Sequence, residues 1–171
     1  SLHPFGTLVE QLGRMGDLKV ETDALLRDNN FSSDEFSDAV LRSVGLQDWS
    51  LSKEEEANIS SRRDFRDEQT FTFDFNGGAE LGNAAHIKTR PDGKIEVGIH
   101  VPDVTHFVKP NSLVDREAKK RGTSVQLVDR FSALLPPTLA GEICSLTPNE
   151  DRLAVSVVFS VNPHNGTVAE G

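Results

Sequence analysis

The feature that most constrains the fold is a change in hydrophobic pattern near residue 69 of this 171-residue chain. Before that point apolar residues recur at helical spacing, and after it they alternate with polar residues as in half-buried strands. A helical linker followed by a run of strands predicts an α+β fold, with a mixed, largely antiparallel sheet accompanied by helices. No apolar run reaches the roughly 18–20 residues that a membrane-spanning helix needs.

The helical part is strongly acidic. Residues 1–60 carry twelve acidic and five basic side chains, whereas residues 61–171 carry fifteen and thirteen. A net charge of −9 argues against a nucleic-acid binder. Because most of that excess lies before residue 61, it does not exclude RNA binding by the rest of the chain. The predicted helices, at residues 17–28, 32–44 and 52–65, are either solvated faces of a linker or an acidic docking surface for protein partners.

The second part reads as strands around one amphipathic helix. The turn at Pro91-Asp92-Gly93 separates two alternating runs, which is typical of a β-hairpin. A short strand is also expected near the start of the chain, where it has no evident partner. The strands are predicted at residues 7–12, 70–74, 84–89, 95–101, 123–128, 153–161 and from 167 onward, with the helix at 112–121. The run at 153–161 is expected to be buried, and 134–139 to be irregular because of its two prolines.

Two acidic residues flank a glycine-rich turn. Asp74 and Glu80 lie on either side of it, and carboxylates in such a turn either hold a hard cation such as Mg²⁺ or are merely solvated.

Cys144 is the single cysteine, which excludes a disulfide framework and a cysteine-rich zinc module, so it is interpreted as a small core residue. With no start Met or signal peptide visible, we expect an intracellular, reduced and soluble protein.

Two further groups have both a functional and a structural interpretation. His100, Asp103 and His106 form either a metal or acid–base site, or a helix cap on residues 104–107 with two packed, hydrogen-bonded histidines. The basic residues of the predicted helix form either a phosphate-binding face or an ordinary polar face. They are Arg116, Lys119, Lys120 and Arg121.

Residues 62–161 resemble the opening part of the catalytic domain of the RNase II (RNB) family, the processive 3′→5′ exoribonucleases. The resemblance rests on RRDFRD at 62–67, FTFD at 71–74, VGIHVPDVTHFVKPNSLVDREAKKRGTSV at 97–125, LLPPTLAGEICSL at 134–146 and DRLAVSV at 151–157. Residues 3–13 are similar to the last strand of the cold-shock barrel that precedes this domain. The resemblance implies a barrel strand at 1–13, an acidic linker at 14–65 and the N-terminal part of the RNB domain at 66–171.

The resemblance also implies a degenerate metal site. Active members carry four Asp here, which hold Mg²⁺ and the attacking water, because phosphodiester hydrolysis by metal ions needs fixed negative charge. The matching residues are Asp74, Glu80, Gly82 and Asn83, so only two carboxylates remain. We therefore expect no catalytic residue and no metal or other cofactor, with Mg²⁺ held by Asp74 and Glu80 only if residual activity persists.

A second departure concerns RNA. Active bacterial-type members have a base-clamping Tyr where this chain has Gln126, and the chain contains no Tyr at all. Glutamine forms hydrogen bonds but offers no aromatic surface for stacking. Gln126 and the four basic residues of helix 112–121 are therefore only candidate RNA contacts, and the histidines and Asp103 are interpreted as structural supports beside the old site.

The resemblance is strongest to the fungal pseudonucleases of the family, which are cytoplasmic mRNA-binding repressors of translation. It implies a catalytically inactive, RNA-binding module whose partners are single-stranded mRNA and the rest of its own polypeptide, with no membrane. Two alternatives stay open: a weakly active metal-dependent 3′→5′ exoribonuclease, and a protein-interaction scaffold that uses the acidic helices.

Overall fold

A computed structural model describes residues 3–32, 35–46, 49–54, 56–72 and 81–169. Its helices are α1 (Leu18–Asp28), α2 (Asp38–Val44), α3 (Glu56–Ser60), α4 (Val104–Phe107) and α5 (Leu113–Arg121), with a 3₁₀ turn at Leu51–Lys53 and a π-helical segment at Thr138–Ile143. Its strands are β1 (Thr70–Thr72), β2 (Ala84–Thr89), β3 (Ile95–Pro102), β4 (Val125–Gln126), β5 (Phe131–Ser132), β6 (Ala154–Val161) and β7 (Val168–Ala169).

The main sheet has the strand order β1-β2-β3-β6-β7, and all its neighbouring strands are antiparallel. The β2–β3 hairpin turns at Pro91-Asp92-Gly93, where Gly93 adopts a φ of 78°. Strands β4 and β5 form a separate two-stranded hairpin. The predicted α+β fold with a largely antiparallel sheet is therefore confirmed.

The helix caps follow the sequence, but two helix boundaries do not. Asp17 accepts hydrogen bonds from the first turn of α1, and Ser112 does the same for α5. Helix α2 begins later than predicted, because Ser37 is the residue that caps it. The helix predicted at 52–65 is not continuous: a 3₁₀ turn at Leu51–Lys53 and extended backbone at Glu54 precede the short helix α3, and the prediction is wrong beyond Ser60. The chain leaves the helix there, and the following arginines reach the sheet instead.

Three other expectations need correction. Residues 7–12 form no strand, since an isolated strand has no ladder to stabilise it and no described strand lies beside this segment. The strand expected at 123–128 contracts to β4, because the chain turns back into β5. After Pro136-Pro137 the chain forms the π-helical segment rather than staying irregular.

The apolar core lies where α2, α5 and the π-helical segment meet. Its buried members are Val40, Val114, Leu139, Ile143 and Cys144, with Trp49 and Phe107 packed edge to face at its border. Burial raises the pKa of the Cys144 thiol to about 11, so the thiolate that would act as a nucleophile does not form at neutral pH. Cys144 is thus a core residue, as predicted.

Glu54 attaches the helical segment to the domain that follows it. Its carboxylate accepts hydrogen bonds from the Trp49 indole (2.9 Å) and the Asn58 amide (2.8 Å), and it lies 3.0 Å from His106 Nε2. The bonds from Trp49 and Asn58, together with the contact to His106, lower the pKa of Glu54 to about 2. This carboxylate thereby links the 3₁₀ turn, α3 and α4.

The two faces of the main sheet differ in an unexpected way. Small and polar residues of β2, β3 and β6 lie on the face covered by residues 62–65, whereas apolar side chains occupy the opposite face. The exposed apolar residues there include Phe71, Ile87, Ile99, Val101, Val155, Val157 and Val168. Strand β6 is therefore buried on one face only, which corrects the expectation of a fully buried strand. No described helix is long and apolar enough to cross a membrane.

Candidate functional site

The residues matched to the metal-binding motif lie between β1 and β2. Asp74 and Glu80 fall in 73–80, outside the described residues. Gly82 and Asn83 are described and exposed, immediately before β2. Leu81 fixes their position, because its amide donates to Ser145 Oγ (3.0 Å) and its carbonyl accepts from the Leu146 amide (2.8 Å). Gly82 offers no side-chain ligand and Asn83 only a neutral amide.

An open groove runs beside this segment, between residues 62–72 and the loop at 146–154, with His100 and Ser156 lining its floor. Its arginines are each paired with a carboxylate. Arg62 lies 2.6 Å from Asp103, Arg63 lies 2.9 Å from Glu96, and Arg66 contacts Asp64 and Asp151. These guanidinium charges are already compensated, so the groove is not a strongly cationic phosphate channel.

Asp103 and the two histidines beside it have separate structural partners. Asp103 caps α4 by accepting from the His106 amide (3.2 Å), and it also accepts from Thr105 and Arg62. Burial opposes its ionisation, but those hydrogen bonds outweigh burial and lower the pKa of Asp103. His106 contacts Glu54, and His100 faces the interior of the sheet. The arrangement matches the structural interpretation of this motif.

A buried hydrogen-bond chain crosses the sheet under Phe65. His86 Nε2 lies 3.2 Å from Glu96 Oε1, His86 Nδ1 lies 2.8 Å from His100 Nε2, and His100 Nδ1 lies 2.7 Å from Ser156 Oγ. The hydrogen bond from His86 lowers the pKa of Glu96, and burial lowers the pKa of His100. Because an ionised carboxylate can only accept, His86 donates to Glu96, and His100 and Ser156 continue the hydrogen-bonded chain.

No motif in the sequence points to His86, although it lies at the centre of this hydrogen-bond network and is only 1% exposed. Its ring occupies the space over Gly98 on the neighbouring strand, where a Cβ atom would lie 2.1 Å from His86 Cε1. A histidine opposite a glycine in two alternating strands is the signal that could have identified it. The network supports the sheet, and only Ser156 and His100 reach the groove.

The basic residues of α5 divide into two groups. Arg116, Lys119 and Lys120 are exposed, and Lys119 donates to Asp115 over 2.8 Å. The expectation that Arg121 contacts RNA needs correction, because this side chain is buried. Its guanidinium bonds Glu117 (2.9 Å) and lies 3.8 Å from the centre of the Phe36 ring. The candidate phosphate contacts therefore reduce to the first three.

Gln126 is exposed on the β4–β5 hairpin, and its amide nitrogen donates to the Leu127 carbonyl over 2.9 Å. The hairpin turn is held against α1. Arg130 donates to Thr22 Oγ1 (3.0 Å) and Asp129 (2.8 Å) and forms an ion pair with Asp23. A helix from the acidic segment and the hairpin that carries Gln126 are thus one connected unit.

Comparison with known proteins gives two family matches. The RNB domain model matches residues 62–170, and the Dis3-like cold-shock domain 2 model matches residues 1–30, which includes α1. DIS3-like exonuclease 2 of Schizosaccharomyces pombe is 42% identical over 170 residues, and virulence protein SSD1 of Candida albicans is 40% identical over 173. Each alignment covers 99% of this chain, which spans only 18% and 13% of the length of these relatives.

Solved structures give the same assignment. A structure of yeast Ssd1, described as a pseudonuclease, has a TM-score of 0.81 at 32% identity and covers 99% of this chain and 21% of its own. RNase R of Mycoplasma genitalium in complex with double-stranded RNA has a TM-score of 0.77 at 28% identity and covers 88% of this chain and 26% of its own. This chain therefore belongs to the RNB family of RNase II-like proteins.

Proposed function

We propose that this chain is part of a catalytically inactive, RNA-binding, RNase II-like module in a cytoplasmic regulator of mRNA translation. The observation that carries the proposal is Gly82, where the family motif has a metal-binding Asp and this chain has no side chain at all. Asn83 replaces a second carboxylate with a neutral amide. With two of four charges lost, Mg²⁺ and the attacking water are held poorly, and most of the rate acceleration disappears.

Some of the relatives support the proposed loss of activity, and others support an active enzyme. The similarity to virulence protein SSD1 and to the yeast Ssd1 pseudonuclease favours loss of activity. The similarity to DIS3-like exonuclease 2 favours the second candidate, a weak 3′→5′ exoribonuclease that uses Asp74 and Glu80 with one metal ion. On either candidate, single-stranded RNA is the ligand.

Activity is tested with the full-length protein and a 5′-labelled single-stranded RNA, in Mg²⁺ and in Mn²⁺. We expect no shortening of the RNA, whereas DIS3-like exonuclease 2 from Schizosaccharomyces pombe serves as the positive control. A variant that restores the carboxylates (Glu80→Asp, Gly82→Asp, Asn83→Asp) reports how much of the loss is due to the ligands. Processive shortening by the natural protein, abolished by Asp74→Asn, would establish the exoribonuclease instead.

RNA binding is tested by measuring affinity for single-stranded RNA as a function of salt. We expect charge reversal of Arg116, Lys119 and Lys120 to weaken RNA binding and to make it less dependent on salt. Each protein cation that neutralises a phosphate releases counterions from the RNA, so fewer such contacts give a smaller salt effect. Arg42→Glu is the matched control, an exposed arginine on α2. If the full-length protein binds no RNA, the proposal gives way to a protein-interaction scaffold that uses the acidic helices.

The regulatory part of the proposal needs a separate readout. We expect the full-length protein, tethered to a reporter mRNA, to lower protein output while the reporter mRNA level stays unchanged. A fall in mRNA level in proportion to protein output would indicate decay rather than translational control.

A further inference from the structure

The β4–β5 hairpin presents an aromatic ring to solvent. Phe131 is 45% exposed and lies directly opposite Gln126 in the hairpin register. Directly opposed residues of an antiparallel pair project from the same face, so the ring and the Gln126 side chain lie side by side. On the other face, Val125 and Ser132 are half-buried. The hairpin therefore has one face toward the protein and one face, with the ring, toward solvent.

This hairpin is held rigidly. The Leu127 amide donates to the Arg130 carbonyl over 2.8 Å, and the Gln126 amide nitrogen donates to the Leu127 carbonyl, so the turn is closed by its own backbone and by Gln126. Arg130 then anchors the turn to α1 through Thr22 and Asp23. A ring on such a support is already ordered before a ligand arrives, which lowers the entropic cost of binding.

Exposed cations lie next to the same hairpin. Helix α5 ends at Arg121, whose guanidinium approaches the Ala133 carbonyl just after β5 (3.5 Å), while the Leu134 amide donates to Ser124 Oγ (2.9 Å). These contacts bring the C-terminal end of α5, whose last turn carries the exposed Lys119 and Lys120, close to the residues that flank the hairpin. An aromatic surface beside flexible cations is the combination that binds single-stranded nucleic acid without sequence preference.

We propose that Phe131 stacks on a base of single-stranded RNA, while the exposed cations of α5 contact the neighbouring phosphates. This inference rests on the proposed RNA-binding function and identifies where a base is held. Gln126 uses its amide to close the turn, so the ring opposite it, rather than Gln126 itself, supplies the stacking surface. Single-stranded RNA is favoured over a protein partner because the hairpin presents one exposed aromatic ring and the nearby end of helix α5 carries exposed lysines.

The test compares Phe131→Leu with Phe131→Trp in the full-length protein, using fluorescence anisotropy with labelled oligouridine. We expect Phe131→Leu to weaken binding by roughly 5- to 150-fold, the range for one stacked base, and Phe131→Trp to retain it. Val128→Ala is the matched control, because Val128 is 87% exposed at the tip of the same hairpin and carries no ring. It should bind as the natural protein does.

A second measurement separates stacking from a structural effect. A series of oligouridines, each with one abasic position, should contain a position that weakens binding to the natural protein but not to Phe131→Leu. Equal losses for both proteins at every position would overturn the inference, and so would unchanged RNA affinity in Phe131→Leu. Either result leaves the proposed RNA-binding function intact if binding stays salt-sensitive. Absence of RNA binding by the natural protein would refute both the stacking role of Phe131 and the proposed function. Loss of a protein partner in Phe131→Leu with RNA affinity unchanged would assign the ring to protein docking.

Discussion

Two ion pairs that join the segment before the sheet to the rest of the chain are of the same kind but lie in different surroundings. Arg63, itself about half exposed, pairs with Glu96 at one end of the histidine network, where Glu96, His86 and His100 are buried. Arg130 pairs with Asp23 at the hairpin, where both side chains are about one quarter exposed. We expect the burial of the carboxylate and its neighbours, more than the identity of the paired groups, to decide how much each contact contributes to stability.

Substitutions at the Arg63–Glu96 contact and its histidine network should be costly, because each buried polar atom there is hydrogen-bonded to a neighbouring group. Removing one partner leaves a buried donor or acceptor unsatisfied, which costs roughly 1–3 kcal/mol, and more for a charged group. Removing a partner at the hairpin contact should cost less, since water can reach both of its partly exposed side chains and replace the missing group. Glu54 is as little exposed as Glu96, but it lies at the edge of the helical segment rather than within the histidine network.

The largest effect is expected for Gly98→Ala. The new Cβ atom would lie 2.1 Å from His86 Cε1, so either the ring or the strand has to move. We expect the free energy of unfolding to fall by about 3 kcal/mol, as for other overpacked interiors. The loss of stability is measured by amide hydrogen exchange of β2 and β3 in the full-length protein. Gly141→Ala is the control, since a Cβ atom there meets nothing within 4 Å. Equal exchange in the two variants would contradict the tight packing over Gly98.

An intermediate effect is expected for Glu54→Gln, which we expect to cost about 2 kcal/mol at neutral pH because charged hydrogen bonds are lost. The pKa of Glu54 is lowered from 4.5 to about 2, so the folded state binds this proton less readily than the unfolded state. Its stabilisation is therefore complete above the ordinary pKa and disappears as the pH falls toward 2. The difference between the natural protein and Glu54→Gln should shrink over that range in acid unfolding. A gap that stays constant with pH would contradict the role of the carboxylate.

The smallest effect is expected for Arg130→Gln. Because the ion pair with Asp23 is partly exposed, we expect a loss of about 1 kcal/mol or less, confined to faster hydrogen exchange in β4, β5 and α1. Arg42→Gln, which removes the fully exposed pair with Asp38 on α2, should change nothing measurable. Unfolding of the whole chain by Arg130→Gln would show that the hairpin contact contributes as much to stability as the contact with Glu96.

Local signals predicted much of the fold. The Pro-Asp-Gly turn located the β2–β3 hairpin, and Asp17 and Ser112 marked the helix starts, because turns and caps depend on residues adjacent in sequence. The length of the helix at 52–65 was wrong because Arg62 and Arg63 leave it to meet carboxylates on the sheet. Such a tertiary contact leaves no trace in the helical periodicity of the segment itself.

The candidate site was less predictable from sequence, for the same reason. Arg121 belongs to the same helix as the other candidate cations but lies off the face that they share, and Phe36, far away in sequence, covers its guanidinium. The importance of His86 likewise depends on the strand pairing that brings Gly98 opposite to it. Gly82 and Asn83 stood out only through the family motif, since neither residue has a chemical signal of its own.

The histidine network also bears on how the strands find their correct alignment. The apolar residues of β3 and β6 are similar enough that several pairings would bury comparable surface, and a one-residue slip exchanges the two faces of a strand. If β2 slipped by one residue, Ile87 would replace His86, and Glu96 would keep its buried charge without that donor. A misaligned β2 would thus remove one hydrogen-bond donor from the buried Glu96 carboxylate, so the polar residues of this sheet favour the observed pairing.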